Sequence, residues 1–183
     1  YIHSDKEIRE TIKKLVRYSE PDQNKETIFI WPEGIFAGIY FKDLKKYSNT
    51  FSKSFSKKHL LIFGVNTEDN LSNEFYNSLI VSNNNLEVLY KYDKKKLVPF
   101  GEFIPFNDFF EKFGLKKITQ GYGSFSKGKK QKNFVFNELN ILPLICYEII
   151  FPKLTQSSSA KTNLIINISE DAWFGNSIGP YQH

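Results

Sequence analysis

Three residues of this chain could together carry out nucleophilic acyl chemistry: Glu33, Lys94 and Cys146. Cys146 is the only cysteine, so it forms no disulfide within the chain, and its thiol either packs as a small apolar group or reacts. A reactive thiol needs a base that takes its proton, and a carboxylate such as Glu33 can serve. An ammonium such as Lys94 can stabilise the oxyanion on the attacked carbonyl, with the backbone N–H of Tyr147 as a second donor.

Each of these residues also has an ordinary structural interpretation. Free cysteines are usually buried small hydrophobes, a glutamate in a turn is usually solvated, and Lys94 begins a run of three lysines that could form a solvated face. The residue types alone therefore leave both interpretations open. The reactive interpretation requires that the fold bring all three side chains to one place.

The elements that precede the three residues are all predicted to be buried strands. The segment at 27–31 is β-branched and aromatic, and Pro32 ends it because proline has no backbone donor. Lys94 follows an extended segment at 86–92, and Cys146 ends an apolar run at 141–146. Because reactive groups in layered α/β folds gather at strand ends, we expect the three side chains to converge on one rim.

The rest of the chain alternates predicted helices and strands. Ser4 and Glu7 form a capping-box pattern before an amphipathic helix at 5–18, and an asparagine-rich turn at 82–85 predicts a hairpin. The other expected elements are a helix through Leu44, Tyr47, Phe51 and Phe55, strands at 60–65, 75–81, 134–136 and 163–168, short helices at 108–113 and between Pro152 and Ser159, and an exposed loop at 119–133. This order predicts an α/β or α+β layered sandwich.

Composition allows one domain over residues 1–183, because the chain is 40% hydrophobic and its length demands no second core. No apolar run reaches the roughly 18 to 20 residues of a membrane span. The chain contains no methionine and stops just after Gly179-Pro180, so we expect it to be part of a longer protein. The net charge of +5 suits a solvated face, an anionic lipid surface or nucleic acid, but the aromatic residues lie mostly apart from the lysines, which disfavours nucleic acid.

Short motifs around the three residues resemble a known family. Trp-Pro-Glu at 31–33, Tyr-Asp-Lys at 92–94 and Cys-Tyr-Glu at 146–148 are similar, in order and rough spacing, to the Glu, Lys and Cys triad of the nitrilase superfamily. Within that superfamily, Leu-Val-Pro-Phe-Gly-Glu-Phe-Ile-Pro at 97–105 and Asp-Ala-Trp-Phe-Gly-Asn-Ser-Ile-Gly-Pro-Tyr-Gln-His at 171–183 resemble the apolipoprotein N-acyltransferases. The resemblance runs from about Thr27 to the end of the chain.

The resemblance implies a nitrilase-like α-β-β-α sandwich that is incomplete in this chain. It places the domain on the periplasmic side of a bacterial inner membrane, attached to membrane helices that lie outside this sequence. The implied reaction moves a fatty acyl chain from a phospholipid, typically phosphatidylethanolamine, onto the cysteine as a thioester. The acyl group then passes to the α-amino group of the diacylglyceryl-cysteine that begins an apolipoprotein. This chemistry uses no cofactor, no metal and no nucleic acid.

The resemblance also implies a role for each site residue. Glu33 would be the general base, Lys94 the oxyanion stabiliser and Cys146 the nucleophile. The residues that would support or line the site are Glu102, Glu148, Trp31, Tyr147 and Trp173. One position departs from the family pattern. The family often has Ser-Asn-Asp-Ala-Trp at the positions that correspond to 169–173, and here Glu170 replaces the asparagine. This change could alter the edge of the pocket.

Two other functions remain open at this point. A soluble amidase or nitrile-processing hydrolase would use the same triad with water as the final acceptor. A non-catalytic domain would bind a membrane or nucleic acid through its basic surface, although the presence of all three reactive residues argues against it.

Overall fold

The computed structural model describes residues 4–36, 38–99, 101–103, 124–130, 132–156, 161–171, 175, 177–178 and 181. The helices are α1 (Asp5–Ser19), α2 (Phe41–Leu44), α3 (Ser48–Ser54) and α4 (Pro152–Thr155), with 3-10 helices at Lys45–Tyr47 and Cys146–Ile150. The strands are β1 (Thr27–Ile30), β2 (His59–Asp69), β3 (Glu74–Ser82), β4 (Val88–Asp93), β5 (Phe134–Phe136), β6 (Leu139–Ile145) and β7 (Leu164–Ile168). Each described helix is too short or too polar to cross a membrane.

The first sheet has the strand order β1-β2-β3-β4. β1 runs parallel to β2, and β2, β3 and β4 pair antiparallel. The predicted hairpin between β3 and β4 is confirmed. In its turn the Asn83 side chain accepts hydrogen bonds from the backbone N–H groups of Asn85 and Glu87, which is the local bonding that suits asparagine to turns. The left-handed residue of this turn is Leu86, with φ 57°.

The second sheet has the order β5-β6-β7. β5 and β6 form an antiparallel pair, whereas β6 and β7 are parallel, with Ile145 opposite Ile168. The carboxyl ends of β6 and β7 therefore lie at the same edge of this sheet. Cys146 follows directly after β6 at that edge.

Three layers of apolar side chains hold helices and sheets together. The first lies between the helices and the outer face of the first sheet, and it contains Ile12, Leu44 and Phe51 against Leu61 and Phe63. The second lies between the two sheets: Leu60, Ile62, Leu79, Val81 and Tyr92 pack with Ile141, Ile145, Ile166 and Ile168. The third joins the outer face of β6 to α4 through Leu142, Leu144 and Leu154. Alternation along β2 and β6 explains the division, because successive strand residues face opposite layers. The predicted layered sandwich is confirmed.

Several predicted elements have different bounds in the structure. The helix expected through residues 44–55 is divided into α2, a 3-10 turn and α3, and the helix expected between Pro152 and Ser159 ends at Thr155. The predicted helix at 108–113 lies outside the described residues. The lysines at 127, 129 and 130 are exposed as expected for a loop, but the prediction is wrong for Gly128, which is buried and donates its backbone N–H to the Lys94 carbonyl at 2.9 Å.

Candidate active site

The segments that follow β1 and β4 bring a lysine and two glutamates into one buried cluster. The Nζ of Lys94 lies 3.1 Å from Oε1 of Glu33 and 3.0 Å from Oε1 of Glu102. All three side chains are at least nine-tenths buried. A buried charge is costly unless it is paired and hydrogen-bonded, and here one ammonium serves two carboxylates.

Asn77, on β3, completes this cluster from the neighbouring strand. Its side-chain N–H groups donate to Oε1 of Glu33 and to Oε1 of Glu102, both at 2.7 Å. The backbone N–H of Lys94 in turn donates to the Asn77 carbonyl at 2.9 Å. Asn77 therefore fixes the two carboxylates on either side of the Lys94 ammonium.

The two carboxylates that bind Lys94 differ in how many of their oxygens accept hydrogen bonds. Glu102 accepts hydrogen bonds at both oxygens, since its Oε2 receives the backbone N–H of Val98 at 2.8 Å. Glu33 uses only Oε1, and its Oε2 is buried without a hydrogen-bond partner among the described residues. An unpaired buried acceptor is uncommon and needs an explanation. Of the two carboxylates, Glu33 is the one with an oxygen available to take a proton.

Glu148 ties the lysine segment to the cysteine segment. One of its oxygens accepts the backbone N–H groups of Lys95 and Lys96, at 2.7 and 2.9 Å. The other accepts the backbone N–H of Ile145 at 3.0 Å and the hydroxyl of Tyr92 at 2.9 Å. Glu148 is fully buried, and burial raises its pKa while these four donors act in the opposite direction. The carboxylate thus links the residues after β4 to the end of β6.

Cys146 sits between the two sheets in a backbone conformation that is unusual for its type. Its φ of 56° lies in the left-handed region, which non-glycine residues adopt rarely and mostly where the surroundings enforce it. Burial, followed by the negative charge of Glu33, raises the pKa of the thiol to about 12. The Lys94 charge and a hydrogen bond from the backbone N–H of Tyr147 act in the opposite direction. The resting group at neutral pH is therefore the thiol.

The electrostatics of Lys94 favour its charged form. Burial alone would lower its pKa, but the charges of Glu33 and Glu102 outweigh burial, so that the pKa of Lys94 is raised above its ordinary value. An ammonium has three N–H donors, and the two glutamates account for two of them. The third has no acceptor among the described residues, so it can serve an oxygen of a bound substrate.

The two described aromatic residues among those expected to line the site, Trp31 and Tyr147, lie in different layers. Trp31 is buried in the layer between helices and sheet, with its ring centroid 5.7 to 6.2 Å from those of Phe51, Phe55 and Phe63. Its indole N–H donates to the Ser19 hydroxyl at 3.1 Å, so this ring has a packing role. Tyr147 is half-buried against the layer between the sheets. Trp173 lies outside the described residues.

A comparison with protein families places the chain in a known group. Residues 10–183 match the family described as carbon-nitrogen hydrolase. The chain belongs to the carbon-nitrogen hydrolase family. It is 35% identical over 164 residues to the apolipoprotein N-acyltransferase of Rhizobium leguminosarum bv. trifolii (strain WSM2304), which covers 87% of this chain. It is 36% identical over 163 residues to the enzyme of that name from Bradyrhizobium diazoefficiens, which covers 86% of it. The chain spans 30% of the length of each relative.

Solved structures support the fold independently. An amidase from Nesterenkonia sp. AN1, solved with butyramide, superposes on 97% of this chain with a TM-score of 0.59 and 13% identity, and the match covers 66% of the amidase chain. Saccharomyces cerevisiae Nit3, a member of branch 10 of the nitrilase superfamily, matches 88% of this chain and 57% of its own, with a TM-score of 0.58 and 18% identity. At these identities the likeness concerns the fold.

Sequence reasoning missed two parts of this carbon-nitrogen hydrolase site. Asn77 was absent from the predicted residues, although an asparagine inside an otherwise apolar strand is a signal for a buried polar contact. The segment 125–128 was predicted as a loop, yet the N–H of Phe125 donates to the Glu102 carbonyl, in addition to the bond from Gly128 to Lys94. No pattern in the sequence distinguishes these backbone contacts from ordinary loop solvation.

Proposed function

We propose that this chain is the catalytic domain of an apolipoprotein N-acyltransferase that moves a fatty acyl chain from a phospholipid, through a thioester on Cys146, to the α-amino group of a diacylglyceryl-apolipoprotein. The observation that carries the proposal is the buried ammonium of Lys94, held between Glu33 and Glu102, whose charges act on the adjacent thiol. The identity of 35 to 36% to two enzymes of that name, over most of this chain, supports the choice of reaction.

In the first half-reaction the Cys146 sulfur attacks the ester carbonyl of the phospholipid. Because burial and the Glu33 charge keep the thiol protonated, Glu33 takes the proton as the carbon–sulfur bond forms. Its unpartnered Oε2 is the acceptor. The free N–H of Lys94 and a backbone N–H stabilise the oxyanion. The ester carbon–oxygen bond then breaks, and the lysophospholipid alcohol receives the proton from Glu33.

In the second half-reaction the same base works in reverse. The acceptor amine attacks the thioester carbonyl, Glu33 removes a proton from its nitrogen, and Cys146 leaves as a thiol after receiving that proton. Glu102, whose oxygens are both hydrogen-bonded, orients Lys94. Glu148 holds the Lys94 and Cys146 segments together. We further propose that the domain works on the periplasmic side of a bacterial inner membrane, attached to membrane helices of the longer protein.

The test is the intact mass of the full-length protein in detergent after incubation with phosphatidylethanolamine, beside its Cys146→Ala variant. We expect a fatty-acyl adduct that maps to Cys146 in the wild type, is absent from the variant, and disappears when a diacylglyceryl-cysteine peptide is added. If the folded wild type forms no adduct but hydrolyses simple amides, the enzyme is a hydrolase with water as acceptor, and the proposal is overturned.

A further inference from the structure

Glu170 lies at the edge of the candidate site, just beyond the end of β7, the strand that pairs with the one before Cys146. β6 and β7 are parallel and Ile145 is opposite Ile168, so the residues that follow both strands emerge at the same edge. Glu170 comes two residues after β7 and is half-buried. The sequence motifs assign no role to this carboxylate.

The Glu170 carboxyl group rests directly on the backbone beside the general base. A Cβ built on Gly34, the residue after Glu33, would lie 1.8 Å from Oε2 of Glu170 and 2.7 Å from its carboxyl carbon. Gly34 has a φ of 70°, so glycine is favoured at this position for its conformation as well as its size. The carboxylate thus occupies the space that any other residue at 34 would fill.

The Glu170 carboxyl group therefore lies beside the residue that follows Glu33, close enough for the charge of Glu33 to act on it. Burial, followed by the charge of Glu33, raises the pKa of Glu170. Lys94 is committed to Glu33 and Glu102, and no cationic side chain of the described residues forms an ion pair with Glu170. The Glu33 side chain is more than nine-tenths buried, and its Oε2 accepts no hydrogen bond in the described part of the chain. Among the described residues, neither Oε2 of Glu33 nor the Glu170 carboxylate is paired with a cation, because Lys94 bonds only to Oε1 of Glu33 and to Glu102.

We propose that Glu170 binds the primary ammonium group of a substrate and holds it against the free Oε2 of Glu33. An ammonium offers three N–H donors, enough to serve both carboxylates, and its charge offsets their repulsion. This inference rests on the proposed function, in which two molecules carry such a group. One is the acceptor, through its α-amino nitrogen, and the other is the donor phosphatidylethanolamine, whose head group would contact Glu170 alone because Oε2 of Glu33 takes the Cys146 proton in that step.

For the acceptor, binding at this position places the α-amino nitrogen beside Glu33, the base that the transfer step requires. The bound ammonium gives one proton to Glu33, which passes it to solvent, and becomes a neutral amine. The amine attacks the thioester carbonyl, a carbon–nitrogen bond forms and the carbon–sulfur bond breaks. The second proton moves from nitrogen through Glu33 to the Cys146 sulfur. One amide, one thiol and one released proton result, and no further reactant is needed.

The test compares Glu170→Gln with Glu138→Gln in the full-length enzyme. Both variants remove one negative charge, but Glu138 is exposed in the turn between β5 and β6, apart from the cluster. Four rates are measured: enzyme acylation by phosphatidylethanolamine, acylation by phosphatidylglycerol, which has no ammonium, and transfer from the acyl-enzyme to a diacylglyceryl-cysteine peptide and to hydroxylamine, which is neutral at pH 7.

We expect Glu170→Gln to slow one ammonium-dependent step by roughly 10- to 100-fold, the range of a hydrogen bond between charged groups. A loss limited to the peptide acceptor identifies the α-amino group as the ligand, and a loss limited to phosphatidylethanolamine identifies the head group. In either case hydroxylamine and phosphatidylglycerol react at wild-type rates, Glu170→Asp recovers part of the loss, and Glu138→Gln is unaffected.

Two results overturn the inference. Equal losses with all four reactants show that Glu170 only supports the fold or the base, and unchanged rates show that it binds no ammonium. Both are distinct from failure of the proposed function, in which the wild-type enzyme itself forms no acyl adduct.

Discussion

At the scale of single residues, Glu33 acts on Cys146 in two opposing ways. Its negative charge is one of the causes that raise the pKa of the thiol to about 12, after burial itself. In the proposed mechanism its free Oε2 also takes the thiol proton. The carboxylate would thus keep the resting cysteine protonated and assist its deprotonation when substrate is bound. Removing the carboxylate separates these two effects.

We predict that Glu33→Gln lowers the rate of acyl-enzyme formation by roughly 100- to 10,000-fold, the usual contribution of a general base. The same change lowers the pKa of Cys146, because a charge that disfavours the thiolate is gone. Alkylation by iodoacetamide requires the thiolate, so its pH–rate profile moves to lower pH in the variant. Both are measured by mass spectrometry on the same samples. A profile that moves to higher pH would contradict the electrostatic part of the explanation.

The residues of the cluster were only partly predictable from the sequence. Glu33, Lys94 and Cys146 could be expected to meet because each follows a segment with the composition of a buried strand. The division of labour between Glu33 and Glu102 could not, since it depends on which oxygen receives the backbone N–H of Val98. The position of Trp31 could not be predicted either, because the direction of its side chain depends on packing against the surrounding aromatic rings.

At the scale of elements, the strands that end at the site were predicted more accurately than the helices. Strand ends are marked by local chemistry, such as the missing donor of Pro32. In the helix predicted through Leu44 and Tyr47, the expected residues are buried, but the hydrogen bonding at Lys45–Tyr47 is that of a 3-10 turn. The burial pattern is unchanged because a 3-10 turn also places residues three apart on one side. Apolar spacing therefore indicated which residues are buried, but did not indicate the hydrogen-bond pattern.

One strand position controls how closely β2 can approach the base. A Cβ on Gly64 would lie 2.8 Å from the Cα of Glu33, a backbone atom that cannot yield without moving the carboxylate. We predict that Gly64→Ala slows acyl-enzyme formation at least about tenfold, as expected when a reacting group is misplaced. Gly101→Ala is the control, because a Cβ on Gly101 would lie an ordinary 3.4 Å from its nearest neighbour among the described residues, the Val98 side chain. Equal activity of the two variants would show that the Glu33 backbone is not constrained by β2.

At the scale of the whole molecule, the layered order follows from apolar alternation. Even-numbered and odd-numbered residues of β2 pack into different layers. The sequence predicts the layered order itself, because strands and helices alternate along it. Beyond the β3–β4 hairpin, it could not predict which strands pair within each sheet. The parallel pairing of β6 with β7 joins strands separated by a 3-10 helix and α4, and no local pattern records it.

Adjacent residues of β7 allow the layer between the sheets to be tested. Ile166 is 5% exposed and packs between the sheets, whereas Ile165 is 46% exposed on the opposite face. We predict that Ile166→Ala destabilises the fold by roughly 2 to 5 kcal/mol, the usual cost of a large core truncation. Ile165→Ala should stay within about 0.5 kcal/mol. Unfolding midpoints of the full-length variants measure both. Similar losses would mean that Ile165 is also buried in the intact protein.

The four donors gathered by Glu148 have a consequence for amide hydrogen exchange. Lys95 and Lys96 lie beyond the last residue of β4, where backbone N–H groups ordinarily exchange with solvent in seconds or less. Here both are bonded to a carboxylate that is shielded from water between the sheets. Their exchange must await an opening large enough to hydrate Glu148, and the same opening separates the lysine segment from the cysteine segment. These two amides therefore report, in the enzyme without substrate, how often the catalytic arrangement comes apart.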